Sequence, residues 1–450
     1  MCYYLRNLIP GMIMIRFFLS VFLMFSVCRL AAQYEVLKDP RRGGAVRYAG
    51  DLAARPSVLV PKQLLVKKYD FRGVWVATVE NIDFPATKSV ETFKRNYIQV
   101  VNNLRSIGAN AILFQVRPMN DAFYRSNLNP WSRCLTGTEG VGLPGRFDPL
   151  PFMVQEARKR GLQFHAWLNP YRITGGTGLG KSAYLKTLSP NNFARKNPSL
   201  VLCVPRKDGK NLMILDPGHP RTIRFLCDTV QEILTRYDVD GIHMDDYFYP
   251  YEGVGSLDSR TYRTYNKRGL GLEDWRRENV DTLIGTLSNM IRSHNARYRK
   301  HIQFGISPFG IWANRKTHPA GSLTRGSESY TLQHADTRKW VRNGWIDYIV
   351  PQLYWTFGHN TAAYAALADW WAFTVKNSRT RLYIGHSPAR LGTTREWSDP
   401  NEIFNQFRYN SRRAEISGSV LFSYRSLFSP SNAVMKQGVR KAVSAWKAAK

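Results

Sequence analysis

Residues 239–250, which read VDGIHMDDYFYP, carry the residue types and the spacing best suited to catalysis in this chain. The stretch begins as an apolar strand and ends in two adjacent carboxylates, Asp245 and Asp246. Because side chains alternate along a strand, Asp245 shares a face with His243, and Asp246 lies on the opposite face. A strand that is apolar on both faces up to its last residues is typical of a buried parallel strand.

The position of the two carboxylates favours chemistry over a structural role. An Asp at a strand–helix junction often caps the following helix. Here the connection continues through residue 274 before the next long helical pattern, so neither Asp is placed to cap it. Carboxyl groups at the C-terminal end of a parallel strand lie where α/β barrels hold their reacting groups.

Eight apolar strands alternate with helical patterns along the chain. The predicted strands are residues 72–79, 111–116, 163–168, 239–244, 302–306, 348–353, 381–385 and 418–422. The helical patterns, with apolar residues three and four apart, follow at 93–104, 152–160, 222–236, 280–295, 337–343, 362–376, 402–414 and 431–449. This order predicts an α/β fold, a (β/α)8 TIM barrel. A doubly wound open sheet is the alternative, but the eighth repeat favours closure.

Three connections that follow strands are long: 117–147, 170–218 and 247–274. All three leave the same end of the predicted barrel as Asp245. Long loops in a compact domain are usually functional or disordered. We therefore expect them to build a deep cleft over the two carboxylates.

The first part of the chain predicts export. Residues 1–32 read as a signal peptide, with Arg16, an apolar core at 17–27 and small residues before Gln33. The core is too short for a comfortable membrane span, so no stable span is expected after cleavage. An uncleaved anchor, or a lipid on Cys28, is the alternative. Residues 33–69 lack periodicity and are interpreted as a linker to a barrel domain at 70–450, located in the periplasm or cell envelope.

The charge balance points to an anionic partner. The 64 Lys and Arg residues against 33 Asp and Glu give a formal net charge of +31. Such a balance bears on partners and solubility, not on fold. The basic residues are scattered and form no recognisable nucleic-acid module, which argues against nucleic acid. With a leader present, an anionic polymer outside the cytoplasm fits this charge; the oligomeric state is left open.

The sequence predicts no cofactor and no metal. Residues 175–182 read GGTGLGKS and match the P-loop pattern. The preceding strand ends near residue 168 and no long helix follows, so we interpret the match as a flexible lid. His165 and His243 lie within strands and are interpreted as satisfied buried histidines. Asp and His at one mouth are possible metal ligands, but no further closely spaced His or Cys accompanies them.

Polar and aromatic residues follow several of the other predicted strands. Carboxylates, amides and aromatic faces that converge on one mouth suit a carbohydrate, because hydroxyls need planar hydrogen-bonding partners and sugar rings stack on Trp and Tyr. The candidate substrate-binding residues are Asp83, Arg117, Asp121, Asn169, Tyr171, Tyr247, Gln352, Tyr354 and Trp355. Further stacking candidates are Trp75, Trp167 and Trp312, each equally compatible with core packing.

Several of these segments resemble the glycoside-hydrolase-like family 10. The resemblance rests on RGVWVATVENIDFP (72–85), QVRP (115–118), HAWLNPYR (165–172), LDPG (215–218), GISPFG (305–310) and WIDYIVPQLYW (345–355), with the 240–250 run between them. It is collinear from about residue 70 to 430. It implies a secreted or lipid-anchored bacterial TIM-barrel glycosidase, with peptidoglycan glycan strands as the best-supported substrate class.

The resulting hypothesis is a secreted glycoside hydrolase that uses carboxyl chemistry. Asp245 is the first candidate for a catalytic carboxyl group and Asp246 is its predicted partner, with Asp83 and Asp121 in reserve. Arg117 is a candidate for pairing with a substrate carboxylate. The 240–250 run also resembles the fourth-strand motif of chitinase-like barrels, but a tyrosine stands where those carry a catalytic Glu. A non-catalytic glycan-binding protein on a degenerate barrel therefore stays open as the alternative.

Overall fold

Eight parallel strands form a closed barrel in the computed structural model, which describes residues 33–41, 43–53, 56–67 and 70–448. The strands are β1 (Phe71–Val76), β2 (Ala111–Arg117), β3 (Gln163–Leu168), β4 (Gly241–Met244), β5 (Gln303–Ile306), β6 (Tyr348–Ile349), β7 (Arg381–His386) and β8 (Ile416–Leu421). The helices that follow them are α1 (Val90–Ser106), α2 (Pro149–Arg158), α3 (Pro220–Arg236), α4 (Leu272–Tyr298), α5 (Thr337–Arg342), α6 (Tyr364–Val375), α7 (Glu402–Ser411) and α8 (Ala433–Ala448). Neighbours pair in chain order and β8 closes on β1, which confirms the (β/α)8 prediction.

Two barrel strands, β1 and β6, end earlier than the apolar pattern predicted. β1 ends early because the chain turns into a 3₁₀ segment at Val79–Asn81. In β6 only two residues pair regularly, and Gln352 then makes isolated bridges to the neighbouring strand ends. Asp245 and Asp246 directly follow β4, so both carboxylates sit at the C-terminal end of the barrel.

Alternation along the strands builds two apolar layers. On β1, Trp75 belongs to the cluster inside the barrel, whereas Val74 and Val76 belong to the layer between barrel and helices. Helix α1 covers that outer layer with apolar residues three and four apart, among them Phe93 and Tyr97. The barrel interior is thus a packed core that ends at the two carboxylates.

A chain of hydrogen bonds runs through the barrel interior. Trp75 Nε1 donates to His243 Nε2 at 3.1 Å, and Tyr348 Oη lies 3.1 Å from His243 Nδ1 and 2.8 Å from His165 Nδ1. Because the indole N–H can only donate, His243 carries its proton on Nδ1, and the tyrosine hydroxyl donates to His165. Burial lowers the pKa of His165 to about 3 and that of His243 well below its ordinary value. Both are neutral buried histidines with partners, which confirms the prediction.

Glycines on two neighbouring strands make room for this chain. A Cβ at Gly305 would lie 1.9 Å from the Tyr348 ring, and one at Gly241 would lie 2.3 Å from His165 Nδ1. Glycine is required at both positions because a side chain would overlap the Tyr348 ring at Gly305 and the His165 ring at Gly241. The absence of a side chain, not a special backbone angle, is what these two positions require.

The segment interpreted as a linker is folded against the barrel, which corrects that interpretation. Tyr34–Val36 pairs antiparallel with Leu59–Pro61, and Val58 is buried. Arg408 on α7 donates from Nη1 to the Pro61 carbonyl oxygen at 3.0 Å. Strands of three residues are too short to show a periodicity, so these two strands could not be predicted from the pattern. The predicted leader, residues 1–32, lies outside the described residues.

The long connections after β3 and β4 contain structure of their own. Three antiparallel strands, Arg172–Thr177, Val201–Pro205 and Asn211–Leu215, form a small sheet after β3. The P-loop-like lysine, Lys181, donates from Nζ to the Val201 carbonyl oxygen at 3.0 Å.

Across the ranges that the structure describes, no helix is both long and apolar enough to cross a membrane.

Candidate active site

A cavity of about 480 Å³ opens at the C-terminal end of the barrel. Its walls come from the ends of β1 to β6 and β8 and from the connections after β1, β3 and β4. The lining is rich in aromatic rings and charged groups: Trp75, Glu80, Gln115, Trp167, Arg172, Arg206, Asp245, Asp246, Tyr247, Tyr251, Glu252, Ser307, Gln352, Tyr354 and Phe422. A small number of precisely placed polar groups among aromatic rings is typical of a site that binds a small molecule or a sugar.

Asp245 is held by N–H donors on both of its oxygens. Trp167 Nε1 donates to Oδ2 at 3.1 Å, and Asn169 Nδ2 lies 3.0 Å from Oδ1 and 3.1 Å from Oδ2. Burial raises the pKa of Asp245 to about 6, and the positive charge of Arg172 opposes this rise. The group therefore changes charge close to neutral pH, as acid–base and nucleophilic carboxyl groups do.

Asp246 lies beside it and is also hydrogen-bonded on both oxygens. Gln352 Nε2 donates to Oδ1 at 2.9 Å, and the Tyr251 hydroxyl donates to Oδ2. Burial raises the pKa of Asp246, and its charge contributes to raising the pKa of Asp245. The two carboxyl groups titrate as a pair, so there is a pH range in which the pair holds a single proton.

Two arginines, Arg172 and Arg206, line the cavity beside the carboxylates, and the sequence did not identify either as a site residue. The Arg172 guanidinium carbon lies 4.1 Å from the centroid of the Tyr247 ring, in cation–π contact. Arg206 donates from Nη1 to the Gly175 carbonyl oxygen at 2.9 Å, and its Nε lies 3.6 Å from Glu252 Oε1. The HAWLNPYR motif was the available signal for Arg172, whereas Arg206 reaches the cavity only through the small sheet after β3.

Glu80 is a third carboxylate that lines the cavity. Its backbone is left-handed, with φ 50° and ψ 22°, and Asn81 follows at φ 52°. Asn81 locks this turn, since its Nδ2 donates to the Phe84 and Cys134 carbonyl oxygens at 2.9 and 2.7 Å. Left-handed non-glycine residues cost of order 1 kcal/mol or more and cluster at functional sites. Within the described ranges, the Glu80 carboxylate has no hydrogen-bond partner and remains available to a substrate.

The structure brings five of the predicted site residues to the cavity wall: Asp245, Asp246, Tyr247, Gln352 and Tyr354. Asn169 lies directly behind them, fully buried, and orients Asp245. Its own Oδ1 accepts from the Arg172 backbone N–H at 3.0 Å, which fixes the direction of its amide. Asn169 is thus a positioning residue here, because the carboxylate stands between its amide and the cavity.

Asp83 has a structural role in place of the predicted contact with substrate. Its Oδ2 accepts from the Ala77 backbone N–H, and its Oδ1 accepts from Ser423 Oγ and the Arg425 backbone N–H, each at 2.7 Å. These bonds tie the loop after β1 to the loop after β8. Three donors already satisfy the carboxylate, and the residue lies outside the cavity lining.

Arg117 also lies outside the lining, which corrects its predicted pairing with a substrate carboxylate. It is fully buried and donates from Nη1 to the Asn169 carbonyl oxygen at 2.6 Å and from Nε to Asn129 Oδ1 at 3.1 Å. Position at a strand end places only the Cα atom. The side chain turns sideways beneath the loops because buried N–H groups need acceptors there.

The remaining predicted contacts, Asp121, Tyr171 and Trp355, are also absent from the lining. Asp121 is buried and accepts from the Met119 backbone N–H at 3.2 Å. Tyr171 is fully buried, and Trp355 packs edge-on against Phe309 with ring centroids 5.4 Å apart. All three side chains turn into the packed shell around the mouth and not into the cavity.

A metal centre finds no support in the described part of the chain, where no group of three or more His, Cys, Asp and Glu side chains is placed to hold an ion. Carboxyl groups, amides, rings and arginines are what the cavity offers. Such a set can transfer protons, attack carbon and bind hydroxyl or carboxylate groups.

Comparison with known proteins places this geometry in a family. The model of the family described as glycosyl hydrolase-like 10 matches residues 70–401. The chain is 41% identical over 367 residues to glycosyl hydrolase YngK of Bacillus subtilis (strain 168), covering 80% of this chain and 69% of that protein. It is 38% identical over 396 residues to glycosyl hydrolase DigH of Escherichia coli (strain K12), covering 83% and 87%. Among solved structures, alpha-L-fucosidase isoenzyme 2 from Paenibacillus thiaminolyticus is similar at a TM-score of 0.45 and 12% identity, over 84% of this chain and 49% of that one. The chain belongs to the glycosyl hydrolase-like 10 family.

Proposed function

We propose that the protein is a secreted glycoside hydrolase that cleaves a bacterial cell-wall glycan, with peptidoglycan glycan strands as its substrate. The observation that carries the proposal is the placement of Asp245: buried at the end of β4, held by N–H donors, and open to a cavity that three further carboxylates line, Asp246, Glu80 and Glu252. Membership of a family whose relatives are named glycosyl hydrolases supports the reaction class.

Glycoside cleavage needs one carboxyl group that attacks or activates water and a second that protonates the leaving oxygen. The N–H donors on Asp245 favour its ionised form, so we assign it the attacking or base role. Asp246 and Glu80 are the candidates for the acid. Glu80 follows β1, three strands around the barrel from β4, so it approaches the cavity from another side than Asp245. Cleavage requires the two carboxyl groups to flank the scissile bond.

The cavity wall supports an acidic, acetylated sugar polymer as the substrate. Trp75 and Trp167 line the cavity as buried rings, and the exposed ring of Tyr247 is available to a sugar. Arg172 and Arg206 offer positive charge to a carboxylate such as the lactyl group of muramic acid. The formal net charge of +31 adds long-range attraction to an anionic glycan. This chemistry needs no cofactor.

Digestion of defined glycans tests the proposal. Purified protein is incubated with intact and with peptide-stripped peptidoglycan, and the released sugars are identified by mass spectrometry. Asp245→Asn should reduce turnover by roughly 10³-fold or more, as expected for loss of a catalytic carboxyl group. Of Asp246→Asn and Glu80→Gln, the variant that removes the acid should lose a similar factor. Asp240→Asn is the matched control, because Asp240 lies at the opposite end of the barrel, where its carboxylate accepts a hydrogen bond from the Phe164 backbone N–H.

The outcomes separate the proposal from its alternative. Wild-type turnover by Asp245→Asn would show that the chemistry lies elsewhere. If the wild-type protein binds glycan strands but releases no sugar from either preparation, the protein is a glycan-binding protein on a degenerate barrel.

Export is proposed from the leader and is tested separately. We expect the mature protein to begin near Gln33 and to fractionate outside the cytoplasm. N-terminal sequencing of the protein from cell fractions measures both. An intact leader on a soluble cytoplasmic form contradicts export without bearing on the reaction.

A further inference from the structure

A second groove, of about 920 Å³, lies on the same end of the barrel as the catalytic cavity. The loop after β2, the loop after β3 and the first turns of α3 line it. Phe193 and Phe225 stack in its wall, with ring centroids 3.9 Å apart and planes 4° apart. Trp131 is half-buried beside them, and a Cβ at Gly142 would lie 2.6 Å from the indole ring. The glycine lets backbone support the indole, so the ring is held in place.

The groove carries unpaired positive charge. Lys196, Arg221 and Arg224 line it, against the single carboxylate of Asp228. Arg221 donates to Asn197 Oδ1, whereas the Lys196 and Arg224 side chains have no hydrogen-bond or ion-pair partner anywhere in the described ranges. Exposed arginines beside aromatic rings suit a ligand that has both carboxylates and flat ring faces.

A buried arginine adds charge from beneath and joins this groove to the active site. Arg117 donates to Asn129, which lines the groove, and its guanidinium carbon lies 5.6 Å from the Phe225 ring centroid. The same guanidinium donates to the Asn169 carbonyl oxygen, and the Asn169 amide holds Asp245. The floor of the groove and the catalytic carboxylate are therefore parts of one hydrogen-bonded unit.

We infer that this groove is a second binding site for an acidic glycan, which holds a part of the polymer that does not occupy the catalytic cavity. The inference rests on the proposed function for the identity of the polymer. Trp131 supplies a platform for a sugar ring, and Arg224 pairs with a carboxylate on the polymer. The second site lies at the same end of the barrel as the cavity, so a chain bound in both is positioned by more of its length than the cavity alone can hold.

Binding measured in the Asp245→Asn background tests the inference whether or not the protein is a hydrolase. Two probes are compared by calorimetry: peptide-stripped peptidoglycan strands, which carry lactyl carboxylates, and chitin oligosaccharides of the same length, which do not. Trp131→Ala should weaken both by about tenfold, and Arg224→Ala should weaken only the acidic strands, by about five- to tenfold, as central aromatic and arginine contacts usually do. Arg440→Ala, an exposed arginine on α8, is the matched control and should change neither.

Each result bears on one claim. Unchanged affinity of both Trp131→Ala and Arg224→Ala for both probes overturns the second site. Equal weakening of both probes by Arg224→Ala overturns the pairing with a carboxylate. Arg224 is exposed and unpartnered, so its replacement tests the site even where Trp131→Ala fails to fold. If wild-type protein releases no sugar in the digestion experiment but these variants lose affinity, the hydrolase proposal fails and the second site stands.

Discussion

Replacing Asp245 with asparagine measures how much the buried carboxylate of Asp245 destabilises the folded protein. Burial raises the pKa of Asp245 from its ordinary value of 3.8 to about 6. Between those two values the unfolded chain binds fewer protons than the folded one, so the Asp245 contribution lowers stability as the pH rises, and the loss is complete above about pH 6. A difference of about 2 in pKa corresponds to about 3 kcal/mol, at 1.36 kcal/mol for each pKa unit.

The asparagine variant does not titrate at this position, but its amide group faces N–H donors. Trp167 and Asn169 both donate to the carboxylate, and a side-chain NH₂ cannot accept from them. This mismatch costs about 1–3 kcal/mol, and the cost does not depend on pH. The sign of the stability change at one pH is therefore uninformative, whereas its dependence on pH isolates the ionisation of Asp245.

Urea unfolding followed by tryptophan fluorescence provides the assay. The free energy of unfolding of Asp245→Asn minus that of wild type should rise by about 2–3 kcal/mol between about pH 4 and about pH 7. Asp240→Asn, a partly exposed carboxylate at the other end of the barrel, provides the reference. A difference that stays constant over this range would refute the argument that burial holds Asp245 protonated at mildly acidic pH.

Three further predictions follow from other parts of the molecule. Arg276→Met should lower the free energy of unfolding by about 3–5 kcal/mol in urea, because it leaves the buried carboxylate of Asp258, 2.7 Å from Arg276 Nη2, without its partner. Gly305→Ala should destabilise by about 3 kcal/mol in thermal unfolding, since the new methyl group overlaps the Tyr348 ring; Gly271→Ala, with open space around it, should not. Binding to cell-wall sacculi should weaken from about 0.05 M to about 0.5 M salt, and binding that is flat over this range would remove the role given to the basic surface.

The eight-fold alternation of strands and helices could be predicted from the sequence because it depends on local periodicity. The same periodicity located Asp245 and Asp246, because an apolar strand that ends in carboxylates can be recognised from consecutive residues alone. The three-residue strands Tyr34–Val36 and Leu59–Pro61 could not be predicted, because so short a segment has no measurable period. Elements that depend on neighbouring residues could therefore be predicted from the sequence, whereas elements that depend on pairing between distant segments could not.

The sequence by itself determined that Asp245 and Asp246 end one buried barrel strand, because that pattern is local. Only the tertiary structure decided which of the other strand-end residues reach the cavity. Asp83 lies after a strand and Arg117 ends one, yet backbone groups of neighbouring loops bind both side chains. Glu80 and Arg206 line the cavity instead. The physical reason is that a strand end places a Cα atom, whereas a side chain's direction depends on which donors and acceptors distant loops bring within hydrogen-bonding distance.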